Sequence, residues 1–153
     1  MRTFLFILSL FLISCSGKDK RSNEVNPFEE RIKLLEADKA FSRMSEENGM
    51  KNAFIEYIDS NGVLLRPGYT PIQGANAIDY LIQQDDTGFT FKWQPHNAVV
   101  SAQGDMGFTY GVYAIEPRND SITYGTYVTI WKRQQDGSWK FILDSGNEGI
   151  GDY

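Results

Sequence analysis

A chain of 153 residues has room for one domain. Its 20 acids against 15 bases give a formal charge of −5, and with no basic stripe this argues against nucleic acid as a partner. A single cysteine and a single histidine rule out an internal disulfide and cysteine-built zinc or iron–sulfur sites, and argue against a histidine-based metal centre. Neither metal nor cofactor is therefore expected.

Residues 1–14 read as an export signal. Arg2 supplies the positive start, and Phe4 to Ile13 form an apolar run broken only by Ser9, too short to span a bilayer as a mature helix. The run ends in Leu12-Ile13-Ser14-Cys15, which resembles the bacterial lipobox, whose cysteine receives diacylglycerol before the signal is cleaved. Cys15 is accordingly the expected lipidation site. Residues 1–14 hold one base and no acid, so the remainder carries −6 and offers anionic lipid no polybasic attraction; attachment must be covalent. Ser16 is not the aspartate associated with inner-membrane retention, so an exported, outer-membrane-anchored protein is expected. Residues 15–26 form a polar tether, and 27–153 a single domain.

Asn26-Pro27-Phe28-Glu29 is a helix start: a capping side chain, proline at the first helical position and an acid in the first turn. Apolar residues then recur at helical spacing, predicting a first helix to about Glu47, ending before Gly49. Met50, Ala53, Phe54, Tyr57 and Ile58 predict a second, short helix. Asp59-Ser60-Asn61-Gly62 reads as a turn, Val63-Leu64-Leu65 as a short strand stopped by Pro67-Gly68, and Ala75 to Ile82 as a third helix. From Phe89 the period becomes two, predicting four strands: Phe89 to Ala102, Gly107 to Glu116, Ser121 to Arg133 and Trp139 to Asp144. Short turns between them imply an antiparallel meander, and helices before strands imply an α+β fold. Trp139, directly after the Asp136-Gly137 turn, is expected in the core.

The chain resembles the nuclear-transport-factor-2-like (cystatin-like, ketosteroid-isomerase-like) superfamily over roughly Glu29 to Asn147, most closely its exported domain of unknown function 4440 proteins. The residues that carry the resemblance are Ala37-Asp38-Lys39-Ala40-Phe41-Ser42, Gly49 with Ala53-Phe54, Leu64-Leu65-Arg66-Pro67-Gly68, Ile72-Gln73-Gly74, Trp93-Gln94-Pro95, Gly104 to Gly111, and Trp131-Lys132 before Asp136 to Lys140. It implies a cone: three N-terminal helices packed on a strongly curved antiparallel sheet, with a central pocket. It implies no particular activity, because the superfamily hosts isomerases, dehydratases, binding subunits and transport factors.

The resemblance places an isomerase-type base just before the proline that ends the first strand. Here that residue is Arg66, which cannot abstract a proton near neutral pH. Arg66 can instead hold a carboxylate, making an organic anion the suggested ligand; the competing reading is a surface arginine, or one paired with Asp59 or Asp144. Asp144, His96 and Asp59 are the catalytic candidates if the domain is an enzyme. Asp38, at the edge of the first helix's apolar stripe, must find a partner or lie at a rim. Tyr57, Tyr69, Trp93, Tyr110, Tyr124 and Trp131 are the pocket-lining candidates, although alternation cannot say which sheet face is concave. Three functions are weighed: a lipid-anchored small-molecule-binding domain, an isomerase, dehydratase or hydrolase using a pocket carboxylate or His96, and a homodimeric interaction module using the sheet without a working pocket. An open cavity with a buried carboxylate favours an enzyme, and a filled cone favours the interaction module.

Overall fold

The computed structural model describes residues 25–150; Cys15, the signal segment and most of the tether lie outside the described residues. Helix α1 (Pro27–Asn48) starts where the sequence places it, with the Asn26 side chain accepting from the Phe28 amide. Gly49, at φ +92°, ends it in a conformation that favours glycine, and α2 (Met50–Tyr57) follows at once. Strand β1 (Ile58–Leu65), the short β2 (Ile72–Gln73) and α3 (Ala75–Ile82) precede four long strands: β3 (Phe89–Val100), β4 (Met106–Pro117), β5 (Thr123–Arg133) and β6 (Trp139–Glu148). They form one open six-stranded sheet, ordered β2-β1-β6-β5-β4-β3.

Two expectations need correction. The sheet is mixed: β1 runs parallel to β6, with Leu64 beside Asp144 and Leu65 beside Ser145. The two strands are joined through α3 and four further strands, so no hairpin imposes an antiparallel pairing. Residues 59–62 lie inside β1 as an irregular stretch across which the register against β6 shifts. Asp59 still accepts from the Asn61 amide, so the turn chemistry survives as a kink within the strand.

Helix α1 lies along the free edge of β3. Ser42 Oγ donates to the Trp93 carbonyl and accepts from its amide, both at 2.8 Å, and Ser45 Oγ donates to the Phe91 carbonyl at 2.6 Å. Two serines thus cover polar groups that an edge strand leaves open. The core gathers around Phe41, whose ring meets Phe54, Tyr57, Trp93, Trp131 and Phe141 at centroid distances of 4.6–6.0 Å. Trp139 is 5% exposed, as expected of a core residue of the last strand.

Candidate functional site

The strand period sorts β4 and β5 into two sets. Thr109, Gly111, Tyr113, Gly125, Tyr127, Thr129 and Trp131 turn inward; Phe108, Tyr110 and Val128 turn outward. The glycines show why the inner set has this composition. A Cβ on Gly125 would lie 2.2 Å from the Tyr113 ring, and one on Gly111 2.1 Å from the Gln94 carbonyl oxygen. At Gly125 the Tyr113 ring takes the space of a side chain, whereas Gly111 is required by the close approach of the β3 backbone at its bulge.

Between this concave face, α1, α2 and the end of β1 lies a cavity of about 200 Å³ that opens at the end of the molecule where β3 begins and β6 ends. Its walls are aromatic: Phe41 and Phe54 from the helices, Phe89, Phe91 and Trp93 from β3, Tyr113 and Tyr127 from β4 and β5. Met50, Pro67 and Ile115 add to the apolar lining, which is interrupted by one polar cluster and, on β6, by Ser145 and Glu148.

Arg66, Asp144 and Thr129 form that cluster. Arg66 Nη2 contacts Asp144 Oδ1 at 2.6 Å, Nη1 donates to the Leu65 and Asp144 carbonyls, and Thr129 Oγ1 donates to Asp144 Oδ2 at 2.8 Å. The Arg66 and Asp144 side chains are 20% and 10% exposed, so this is a largely desolvated pair. The guanidinium also lies 5.6 Å from the centre of the Phe54 ring. Arg66 does line the cavity, but not as the uncompensated cation that the organic-anion reading requires.

Behind the wall sits a second acid. Asp38 is fully buried and accepts from Trp93 Nε1 through one oxygen and from the Tyr127 hydroxyl through the other, both at 2.7 Å. Burial raises its pKa from 3.8 to about 6, against the lowering effect of those hydrogen bonds. Burial, then the neighbouring Asp38 carboxylate, push the Tyr127 hydroxyl upward, keeping it protonated. Asp38 therefore fixes two rings of the cavity wall without reaching the cavity itself.

The other candidates disperse. Trp93 lines the cavity, as Asp144 does. Trp131 is fully buried core, its Nε1 donating to Thr109 Oγ1, and Tyr57 stacks on Phe41 behind the wall. Tyr69, 61% exposed, packs against Tyr80. Tyr110 faces outward beside His96, which sits at a bulge in β3, and Tyr124 borders a separate groove with Lys39 and Arg43. Asp59 accepts from Gln134 Nε2 away from the cavity. For Tyr57, Tyr69, Tyr110, Tyr124 and Trp131 the expectation of a cavity-lining position is corrected: two of the outer-facing tyrosines have the wrong strand parity, and the rest belong to core or surface. Tyr113 and Tyr127 were the residues missed; their parity with Gly111, Gly125 and Thr129 was the signal that marks them as concave.

An aromatic cone with one polar cluster on its wall, closed by helices and open at one end, defines a class of pocketed α+β folds. Solved structures place the chain within it. It is similar to a nuclear-transport-factor-2-like protein with a cystatin-like fold from Novosphingobium aromaticivorans (16% identity, 82% of this chain and 85% of that one, TM-score 0.59). A ketosteroid-isomerase-like protein from Erwinia carotovora atroseptica (13%, 77% and 95%, 0.61) and a putative ketosteroid isomerase from Parabacteroides distasonis (19%, 86% and 93%, 0.57) are also similar. The chain thus has the nuclear-transport-factor-2-like fold. No protein-family profile and no curated protein matches it, so the narrower resemblance to the domain of unknown function 4440 proteins gains no support.

Proposed function

We propose that this chain is a small-molecule-binding domain, held to a membrane through lipid on Cys15, whose ligand is an uncharged, ring-bearing amphiphile. The open cavity walled by seven aromatic rings carries this reading. Flat apolar ligands suit such walls, and a single polar group on the ligand can exchange hydrogen bonds with the Arg66–Asp144–Thr129 cluster without meeting a net charge. Among the tryptophans only Trp93 lines the cavity, so binding is read from its fluorescence. Titration with 2-naphthol should give saturable quenching, and Ile115→Trp, which fills the cavity, should abolish it. Equal saturation in that variant would place the probe elsewhere and sink the reading.

A second reading is favoured by the carboxyl groups at the wall. Asp144 is held beside a guanidinium, and Asp38 backs the Tyr127 hydroxyl. Pairs of acids in unlike environments are the raw material of acid–base catalysis. Asp144, which lines the cavity, is the carboxylate that supports this reading, and an isomerase- or hydrolase-type activity lost equally in Asp144→Asn and Tyr127→Phe would convert the binding domain into an enzyme.

A further inference from the structure

Six of the ten most exposed large apolar side chains among the described residues lie toward one end and one side of the molecule: Phe28, Ile32, Val99, Met106, Phe108 and Tyr110. Val99 and Phe108 are cross-strand neighbours on the outer face of the sheet, and Met106 begins the same strand. Arg31 joins α1 to this region by donating to the Asn97 side chain and the Ala98 carbonyl. Ile32 follows Arg31, and Phe28 precedes Ile32 by one turn, so both lie on the side of α1 that borders the outer face. Residues 96–100, 106–112 and 126–132 contain no acid, in a chain that has 20.

The chain also enters the domain at this end. Val25 packs on the turn between β3 and β4, where a Cβ on Gly104 would lie 2.4 Å from Val25 Cγ1. The cavity opens at the other end, where β1 ends at Leu65, just before Arg66 and Pro67, and β6 ends at Glu148. Helix α1, with 22 residues, spans the distance between the two ends, about 33 Å. Nine residues separate Cys15 from Val25, and the ten Cα-to-Cα steps between them reach at most about 35 Å.

We infer that the end bearing Phe28, Ile32, Val99, Met106 and Phe108 rests on the lipid surface, with the cavity mouth turned to the aqueous side. The inference rests on the reading that Cys15 carries lipid. A lipid surface suits this patch better than a second copy of the chain. At the exposures observed, the six side chains offer on the order of 500 Å² of apolar surface if each presents about 200 Å² when free, about the apolar share of an 800 Å² interface, so it is the tether and not the area that favours lipid: the chain leading from Cys15 reaches the domain beside this patch. A domain anchored ten residues away needs no such area, because the anchor already holds the bilayer within reach. Turning the mouth toward the bilayer would instead require the tether to be almost fully extended. The ligand is therefore taken from water or from a soluble carrier, not from the membrane on which the domain sits.

Cys15 is the only cysteine, so in the acylated chain an introduced thiol is the only one free to label. The test attaches an environment-sensitive fluorophore to Phe28→Cys, Ile32→Cys or Arg118→Cys, the last in the turn at the mouth end, in phosphatidylcholine vesicles carrying nitroxide acyl chains. Quenching should be several-fold stronger at positions 28 and 32 than at 118. Phe28→Glu should release the label at 32 from quenching while the chain still floats with the vesicles, which separates docking from anchoring. Equal quenching at all three positions overturns the docking. So does a label at 28 or 32 that is shielded from aqueous iodide but not reached by lipid nitroxide, with a doubled mass by light scattering; that result assigns the patch to a second copy. A chain that fails to float removes the anchor, and the docking with it.

Discussion

At Asp38 burial and hydrogen bonding pull in opposite directions, and burial is the larger. The carboxyl gains two strong donors, Trp93 Nε1 and the Tyr127 hydroxyl, yet its pKa still rises from 3.8 to about 6. The folded state therefore holds a proton that the unfolded chain has released between about pH 4 and pH 6. Stability tied to this group is present in full below about pH 4 and is lost as pH rises through 6. The loss is at most about 3 kcal/mol. Exposed acids such as Asp105 and Asp136 are shifted the other way and mask part of it in the wild type. The difference between wild type and Asp38→Asn isolates the effect, because asparagine keeps an acceptor for one donor and cannot ionise. Urea midpoints at pH 4 and pH 7 should show the wild type losing ground to Asp38→Asn as pH rises; a constant difference would mean that Asp38 titrates as a free carboxyl. Neither this site nor the Arg66–Asp144 pair was fully legible in the sequence. Asp38 was marked as an acid needing a partner, but Trp93 and Tyr127 lie 55 and 89 residues away. Asp144 was one of two candidate partners for Arg66, and only the parallel placement of β1 beside β6 selects it.

The junction of α1 with β3 governs how the concave face is held. An edge strand with unpaired backbone groups is a liability, and here Ser42 satisfies both the amide and the carbonyl of Trp93. Ser42→Ala keeps the helix and the packing but leaves two buried polar groups without a partner, a cost of about 2–6 kcal/mol at the usual penalty per group. Denaturant midpoints would show it. A loss below about 0.5 kcal/mol would mean that water or a backbone shift replaces the hydroxyl. Helix and strand positions were legible because their periods are local: α1 ends at the expected glycine, and the four long strands fall within a few residues of expectation. Two features were not. A two-residue strand such as β2 has too few side chains to show a period. Strand parity, in turn, divides residues into two faces without naming the inner one. That ambiguity sent Tyr110 and Tyr124 to the wrong side and left Tyr113 and Tyr127 unnoticed, although Gly125 beside them marks the crowded face.

The charge of the whole molecule decides between ligand classes that the cavity alone accommodates. The chain carries −5, and the cavity contributes no cation to offset it: Arg66 is matched by Asp144, and Glu148 stands at the lining near the mouth. An anionic ligand thus approaches a negative field and finds a guanidinium already bound, whereas its uncharged isostere pays neither penalty. Matched probes make the comparison direct, since 2-naphthol and 2-naphthoate share one ring system and differ in charge at neutral pH. At low salt 2-naphthol should bind at least tenfold more tightly, a difference of about 1.4 kcal/mol. Raising the ionic strength should narrow the gap, because a Debye length near 10 Å at 0.1 M screens the long-range part of the repulsion. The paired Arg66 is insensitive to that screening, so some preference for the neutral probe should survive at high salt. Arg66→Met removes the cation and leaves Asp144 uncompensated, which should weaken 2-naphthoate further if it binds at all. Fluorescence titrations of both probes from 20 to 500 mM salt test this. Tighter binding of 2-naphthoate, abolished by Arg66→Met, would restore the organic-anion reading and show that the ion pair opens to admit a ligand.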